Sequence, residues 1–86
     1  LYSSTVETEG IVVSPLSLIN EKTGLYAHFH AVLQGFDECE CLVFGLLGIE
    51  IMNTLRMSDR LSLEGMLFIR PDDSKRLYVF DCIKTI

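Results

Sequence analysis

Apolar side chains recur at every second position through most of this chain. From Arg60 to Arg70, the residues Leu61, Leu63, Gly65, Leu67 and Ile69 alternate with Arg60, Ser62, Glu64, Met66, Phe68 and Arg70. From Leu25 to Leu33, Leu25, Ala27, Phe29, Ala31 and Leu33 face one way, and Tyr26, His28, His30 and Val32 face the other. A period of two means strands with one face turned to a core. With 86 residues there is room for one small domain. A hydrophobic content of 49% is too high for intrinsic disorder. No uninterrupted apolar run reaches the ~18 residues that a membrane helix needs, so no membrane partner is expected. A chain of this size buries only about 60–65% of its unfolded surface, which makes an oligomer or a partner a reasonable expectation.

The pattern predicts a first strand over Val6–Ile19, bent at Gly10 and Pro15. A polar turn over Asn20–Gly24 leads into a second strand over Leu25–Leu33. After a loop at Gln34–Glu38, a third strand covers Cys39–Leu47. Past Gly48, the residues Ile49, Met52 and Leu55 recur at helical spacing, and Met57-Ser58-Asp59 ends that helix. A fourth strand over Arg60–Arg70, a turn at Pro71–Ser74 and a fifth strand over Leu77–Ile86 complete the chain. Five strands with one short helix between the third and fourth is the order of the OB-fold, a five-stranded Greek-key barrel. The expected fold class is therefore all-β, a single OB-fold domain over residues 1–86. There is no initiating methionine and no signal-peptide pattern, so the chain reads as a fragment or ordered core of something longer.

The stretch Val43-Phe44-Gly45-Leu46-Leu47, then Leu55-Arg56, then Asp59 to Leu67 with its Leu63-Glu64-Gly65-Met66-Leu67, ending at Arg70, resembles bacterial and mitochondrial single-stranded-DNA-binding proteins. Gly10 to Pro15, Thr23-Gly24 and Phe29 resemble the first hairpin of that family. The chain is also similar to primosomal replication protein and to the OB-fold subunits of the kinetoplastid mitochondrial RNA-editing complex. The resemblance implies single-stranded nucleic-acid binding together with assembly among OB domains, in a bacterial cytoplasm or a mitochondrion. Glu38 and Asp72 stand where the family places stacking aromatics, and there is no tryptophan. Leu46 and Met57 stand where lysines are common, and Phe44 is the one usual stacking aromatic that survives.

The charge is divided unevenly. Residues 1–50 carry one base and seven acids, a sum of −6, while residues 51–86 carry six bases and five acids, a sum of +1. The net −5 argues against gripping nucleic acid by charge alone. Binding a single strand on a barrel needs aromatic faces for bases and cations for phosphates. By strand face, the candidates are Phe44 and Tyr78, with Tyr26, Phe68 and Phe80 also available as aromatics, and Arg56, Arg70, Lys75 and Arg76 as cations beside Arg60. The competing reading packs these aromatics into a core or an oligomer interface. It also leaves the Arg70–Arg76 hairpin tip solvated, its charge cancelled by Asp72 and Asp73. Met66, Phe68 and Phe80 fall on outer faces, as does Ile86, and are the candidates for an interface with another OB-fold domain, in a homo- or hetero-oligomer.

The three cysteines, with no secretory signal, read as free thiols in a reducing, intracellular compartment. Cys39-x-Cys41 and His28-x-His30 each present two metal-binding side chains on one strand face. If the hairpin turns about residues 35–36, His30 lies opposite Cys41. Zinc by such a set is testable, but single-residue spacings are unusual for structural zinc, so no metal and no cofactor is expected. No phosphate-binding glycine loop or acid–base constellation is present, so the chain is not expected to be an enzyme. The alternative to nucleic-acid binding is a protein–protein interaction module.

Overall fold

The structure, a computed structural model, describes residues 2–85. Its elements in chain order are β1 (Tyr2–Val12), β2 (Ser17–Glu21), β3 (Gly24–Leu33), β4 (Glu38–Phe44), α1 (Gly45–Thr54), β5 (Arg60–Ile69) and β6 (Lys75–Thr85). The sheet runs β1-β5-β6-β4-β3-β2, and β1 also pairs with β3, so five strands close into a barrel while β2 extends β3. β1 serves both neighbours by dividing its length. Tyr2 to Ile11 pair with β5, and Gly10 to Val12 pair with β3. The closing pair β4–β6 is parallel, with Glu40 opposite Arg76 and Leu42 opposite Tyr78; the others are antiparallel. This is the expected OB barrel.

The alternation seen in the sequence fills the barrel. Ala27, Phe29, Ala31 and Leu33 of β3, Cys39, Cys41 and Val43 of β4, Leu61, Leu63 and Leu67 of β5, and Leu77 of β6 are buried. Ile51 and Leu55 of α1 join that cluster. Each fully buried Leu or Phe stabilises by roughly 1.5–3 kcal/mol relative to exposure. Among the described residues no helix is long and apolar enough to cross a membrane.

Three boundaries differ from the sequence expectation. The first strand is two strands, β1 and β2, separated by residues 13–16, and it begins at Tyr2 rather than Val6. Pro15 has no N–H to offer a ladder. At this break the Ser14 hydroxyl accepts the His30 backbone N–H at 2.8 Å, taking over from a ladder carbonyl. The bent first strand therefore counts as two, and the helix falls after the fourth strand in chain order. The second difference is that β4 stops at Phe44 and the helix starts at Gly45, where Leu46 and Leu47 had been expected to extend the strand. Gly45 takes φ +71°, a conformation open to glycine, and turns the chain out of the sheet. Leu46 is left 85% exposed. Gly48 then lets the helix lie on the sheet, because a Cβ there would overlap the Val43 carbonyl oxygen and lie 3.1 Å from the Ala27 nitrogen. The fifth predicted strand starts two residues early, at Lys75; its expected end, Ile86, lies outside the described residues.

Candidate nucleic-acid interface

The outer face of the barrel carries one aromatic ring from each of four adjacent strands. Tyr26 on β3 sits directly opposite Phe44 on β4, with ring centroids 4.8 Å apart. Phe44 stacks on Tyr78 of β6, 6.2 Å away and inclined by 15°. Phe68 of β5 meets Tyr78 edge-on at 5.4 Å. Strand geometry explains the run: side chains of one parity share a face, and neighbouring strands bring them within reach. The rings are not equally available. Tyr26 is 7% exposed and donates its hydroxyl to Glu21 Oε1 at 3.1 Å, whereas Phe44 is 37% exposed. Phe68 and Tyr78 are half-buried. With Arg70 and Arg76 they line a shallow groove.

Three cations border the rings on the β5–β6 hairpin side. Arg70 donates to the Ser74 hydroxyl at 3.2 Å. The tip between them is fixed by Asp72, whose Oδ1 accepts the Ser74 N–H at 3.0 Å and the Ser74 hydroxyl at 2.7 Å. These bonds hold the Asp72 carboxyl below its usual value. Lys75 lies 4.0 Å from Asp37. Arg76 donates from Nε to Glu40 Oε1 at 2.6 Å and from Nη1 to the Tyr78 hydroxyl at 3.4 Å. Much of the local positive charge is thus met by acids of the β3–β4 hairpin.

Glu40 is the hub of those acids. Its second oxygen, Oε2, is 2.7 Å from His28 Nε2. Burial pulls the Glu40 carboxyl upward, but the bonds from His28 and Arg76 outweigh it and hold the group below the ordinary carboxylate value. His30 Nδ1 lies 3.1 Å from Glu38 Oε2, and the two imidazoles are 5.5 Å apart at 74°.

The structure therefore brings together Phe44, Arg70, Lys75, Arg76 and Tyr78 from the sequence-predicted set. Arg56 stands apart. It follows α1, donates to the Leu55 carbonyl at 3.0 Å, and lines a different groove with Pro15, Leu16 and Met52. Phe68, expected at an oligomer interface, belongs to the aromatic run, and Met66 sits opposite Tyr78 beside it. Phe80 lies outside the run, at the bulge where Glu64 pairs Asp81 and Gly65 pairs Val79, and is 57% exposed.

The two thiols and two imidazoles do not come together in the fold. Cys41 pairs with Phe29, and His30 pairs with Glu40, so the thiols of Cys39 and Cys41 enter the core while His28 and His30 face outward. The hydrogen bond with Cys39 and burial push the Cys41 thiol well up; burial and then Asp81 push Cys82 up to about 11. Sequence reasoning missed Glu40, and with it the grouping of His28, Glu40 and Arg76. The signal that finds it is the hairpin register, one residue from the one assumed.

Solved structures share this fold over almost the whole chain. A small single-stranded DNA-binding protein from Streptomyces coelicolor superposes with a TM-score of 0.87 at 12% identity, over 100% of this chain and 96% of that one. A mitochondrial single-stranded DNA-binding protein from S. cerevisiae gives 0.78 at 13% identity, over 98% and 95%. The single-stranded DNA-binding domain of a Synechococcus protein gives 0.72 at 18% identity, over 95% and 93%. No protein-family model matches the chain, and no curated protein matches it by sequence. The likenesses establish the fold: an OB barrel of the kind found in single-stranded DNA-binding proteins.

Proposed function

We propose that this domain binds single-stranded nucleic acid across the outer face of β3, β4, β6 and β5. The observation that carries this is the run of Tyr26, Phe44, Tyr78 and Phe68, one ring per strand, bordered by Arg70, Lys75 and Arg76. Bases stack on Phe44 and Tyr78, where every base has a π face to offer, and the cations meet phosphates. Paired cations leave little net charge for the backbone, so stacking supplies more of the affinity than charge does. No acid–base or nucleophilic machinery is needed for this work, and the role is one of binding rather than catalysis. The solved structures that share this barrel are of single-stranded DNA-binding proteins, which supports the reading. Arg56 is a peripheral contact at most, given its separate groove.

The domain also assembles with another OB-fold domain, in a replication, repair or RNA-editing complex of a bacterial cytoplasm or a mitochondrion. Exposed Phe80 and Ile83 on β6 are the apolar surface this assembly would cover, with Met66 beside the aromatic run. Fluorescence anisotropy with labelled single-stranded DNA and RNA tests the binding. The expected result is submicromolar affinity with a shallow salt slope of about −1.4, two phosphate contacts at Arg70 and Lys75 each contributing about −0.7 while Glu40 holds Arg76. A second reading is favoured by the pairing of Arg76 with Glu40: a pure interaction module whose groove no longer binds strands. Absence of binding alongside a stable dimer by light scattering would select it.

A further inference from the structure

We infer that His28, His30 and Glu40 form a surface site for a zinc ion, on the outer wall of the β3–β4 hairpin. One ligand atom from each of the three residues lies within 4.8 Å of the other two. Tetrahedral zinc with bonds of 2.0–2.1 Å sets its ligand atoms about 3.3 Å apart, so side-chain torsions alone close the difference. Two residues at i and i+2 on a strand share a face, and Glu40 is the direct cross-strand partner of His30. Three donors thus come from the most regular part of the hairpin, where the backbone ladder fixes their spacing. All three side chains are partly sheltered, which limits competition from water without closing the site.

The donor set selects the ion. Two imidazoles and one carboxylate suit zinc and its neighbours in the transition series, whereas magnesium and calcium prefer oxygen ligands alone. The two oxygens of Glu40 have separate duties. Oε1 accepts from Arg76 Nε, which orients the carboxylate, and Oε2 points at His28 Nε2, 2.7 Å away. Such outer partners of ligating carboxylates fix their orientation. Zinc takes the place of the proton between His28 and Glu40 and draws in a ring nitrogen of His30. The Glu38 carboxylate, 3.1 Å from His30 Nδ1, stands at the rim as a fourth ligand or as the hydrogen-bond partner of the His30 ring. The buried thiols take no part, since Cys39 and Cys41 face the core. This inference is independent of nucleic-acid binding, and its test contains no nucleic acid.

The test is titration of the metal-free domain with zinc chloride, followed by calorimetry and by imidazole resonances in the wild-type protein. One equivalent of zinc per chain is expected, with the His28 and His30 ring signals shifting together at that stoichiometry. Cobalt substitution should give the visible bands of a four-coordinate nitrogen–oxygen site without a sulfur-to-metal charge-transfer band. His28→Ala and His30→Ala, each checked for retained fold by circular dichroism, should each weaken zinc by more than about tenfold, the least that loss of even an outer partner causes. Imidazole signals unmoved by saturating zinc would overturn the site. So would a thiolate band with cobalt, or zinc affinity unchanged in both variants.

Discussion

Arg76 donates from its Nε to Glu40 Oε1 at 2.6 Å, across the parallel pair that joins β4 to β6. A central cation of the candidate interface is thereby held by an acid of the same barrel wall. Glu40→Gln should free Arg76 for phosphate. Single-strand affinity should rise several-fold, and the salt slope should steepen by about 0.7, one more phosphate contact. Anisotropy at four salt concentrations measures both. An unchanged slope would mean that Arg76 does not meet the strand.

Phe44→Ala removes the most accessible ring of the aromatic run. Base stacking is worth roughly 1–3 kcal/mol per base, so affinity should fall between about fivefold and 150-fold. Phe80→Ala, outside the run, should leave binding as it is. The same anisotropy assay compares the two, and equal effects would disconnect the run from binding.

Acid should unfold this domain partly through Glu40. A carboxyl held below its unfolded value contributes stability that is fully present above that unfolded value, about 4.3 for glutamate, and is lost as pH falls through the lower folded value. Glu40 is held down in this way, and so are Asp59, through the Arg56 backbone N–H, and Asp72, through Ser74. Urea denaturation at a series of pH values should show stability declining below about pH 4.3. The decline should be shallower in Glu40→Gln, and an identical acid limb would assign the loss to other groups.

Gly48→Ala should loosen the helix from the barrel. The added methyl overlaps the Val43 carbonyl oxygen, which is backbone and has little room to yield. Overpacking of this kind costs about 1–3 kcal/mol. Thermal melting reads the loss directly, and a variant as stable as the parent would show that α1 can shift without cost.

Native thiols should be inert. The thiolate is the reactive species. Cys39, Cys41 and Cys82 are buried; Cys41 and Cys82 are also pushed toward the protonated form, whereas the hydrogen bond with Cys41 pulls the Cys39 thiol down, so Cys39 is shielded from reagents by burial alone. Ellman's reagent at neutral pH should react slowly with the folded domain and rapidly with all three thiols in denaturant.

Much of the barrel was legible because alternation is a direct imprint of burial. Leu61 to Ile69 and Ala27 to Leu33 read as strands with an inner and an outer face, and the structure buries the face expected. The end of β4 was not legible. Val43 to Leu47 is apolar on both sides of the strand–helix junction, so hydrophobicity carries no boundary there; the turn depends on the backbone of Gly45. The site was half legible. Phe44 and Tyr78 could be placed by strand parity, and Arg70, Lys75 and Arg76 by their positions flanking the Pro71–Ser74 turn. The His28–Glu40 grouping needed the hairpin register, and a register error of one residue exchanges the inner and outer partners. Opposite Cys41, His30 would face a thiol; opposite Glu40, it faces a carboxylate.

The closing pair also sets the order in which function appears as the chain folds. Glu40 and Arg76 are 36 residues apart, a longer separation than either the β3–β4 or the β5–β6 hairpin spans. Contacts of such separation form slowly, because loop closure precedes any reward from pairing. Tyr26 and Phe44 come together with one hairpin, and Phe68 and Tyr78 with another, but Phe44 reaches Tyr78 only when the ring shuts. A refolding chain that forms its hairpins first gains its continuous stacking surface only when β4 meets β6, and ligand capture in a stopped-flow experiment becomes a clock for that pairing.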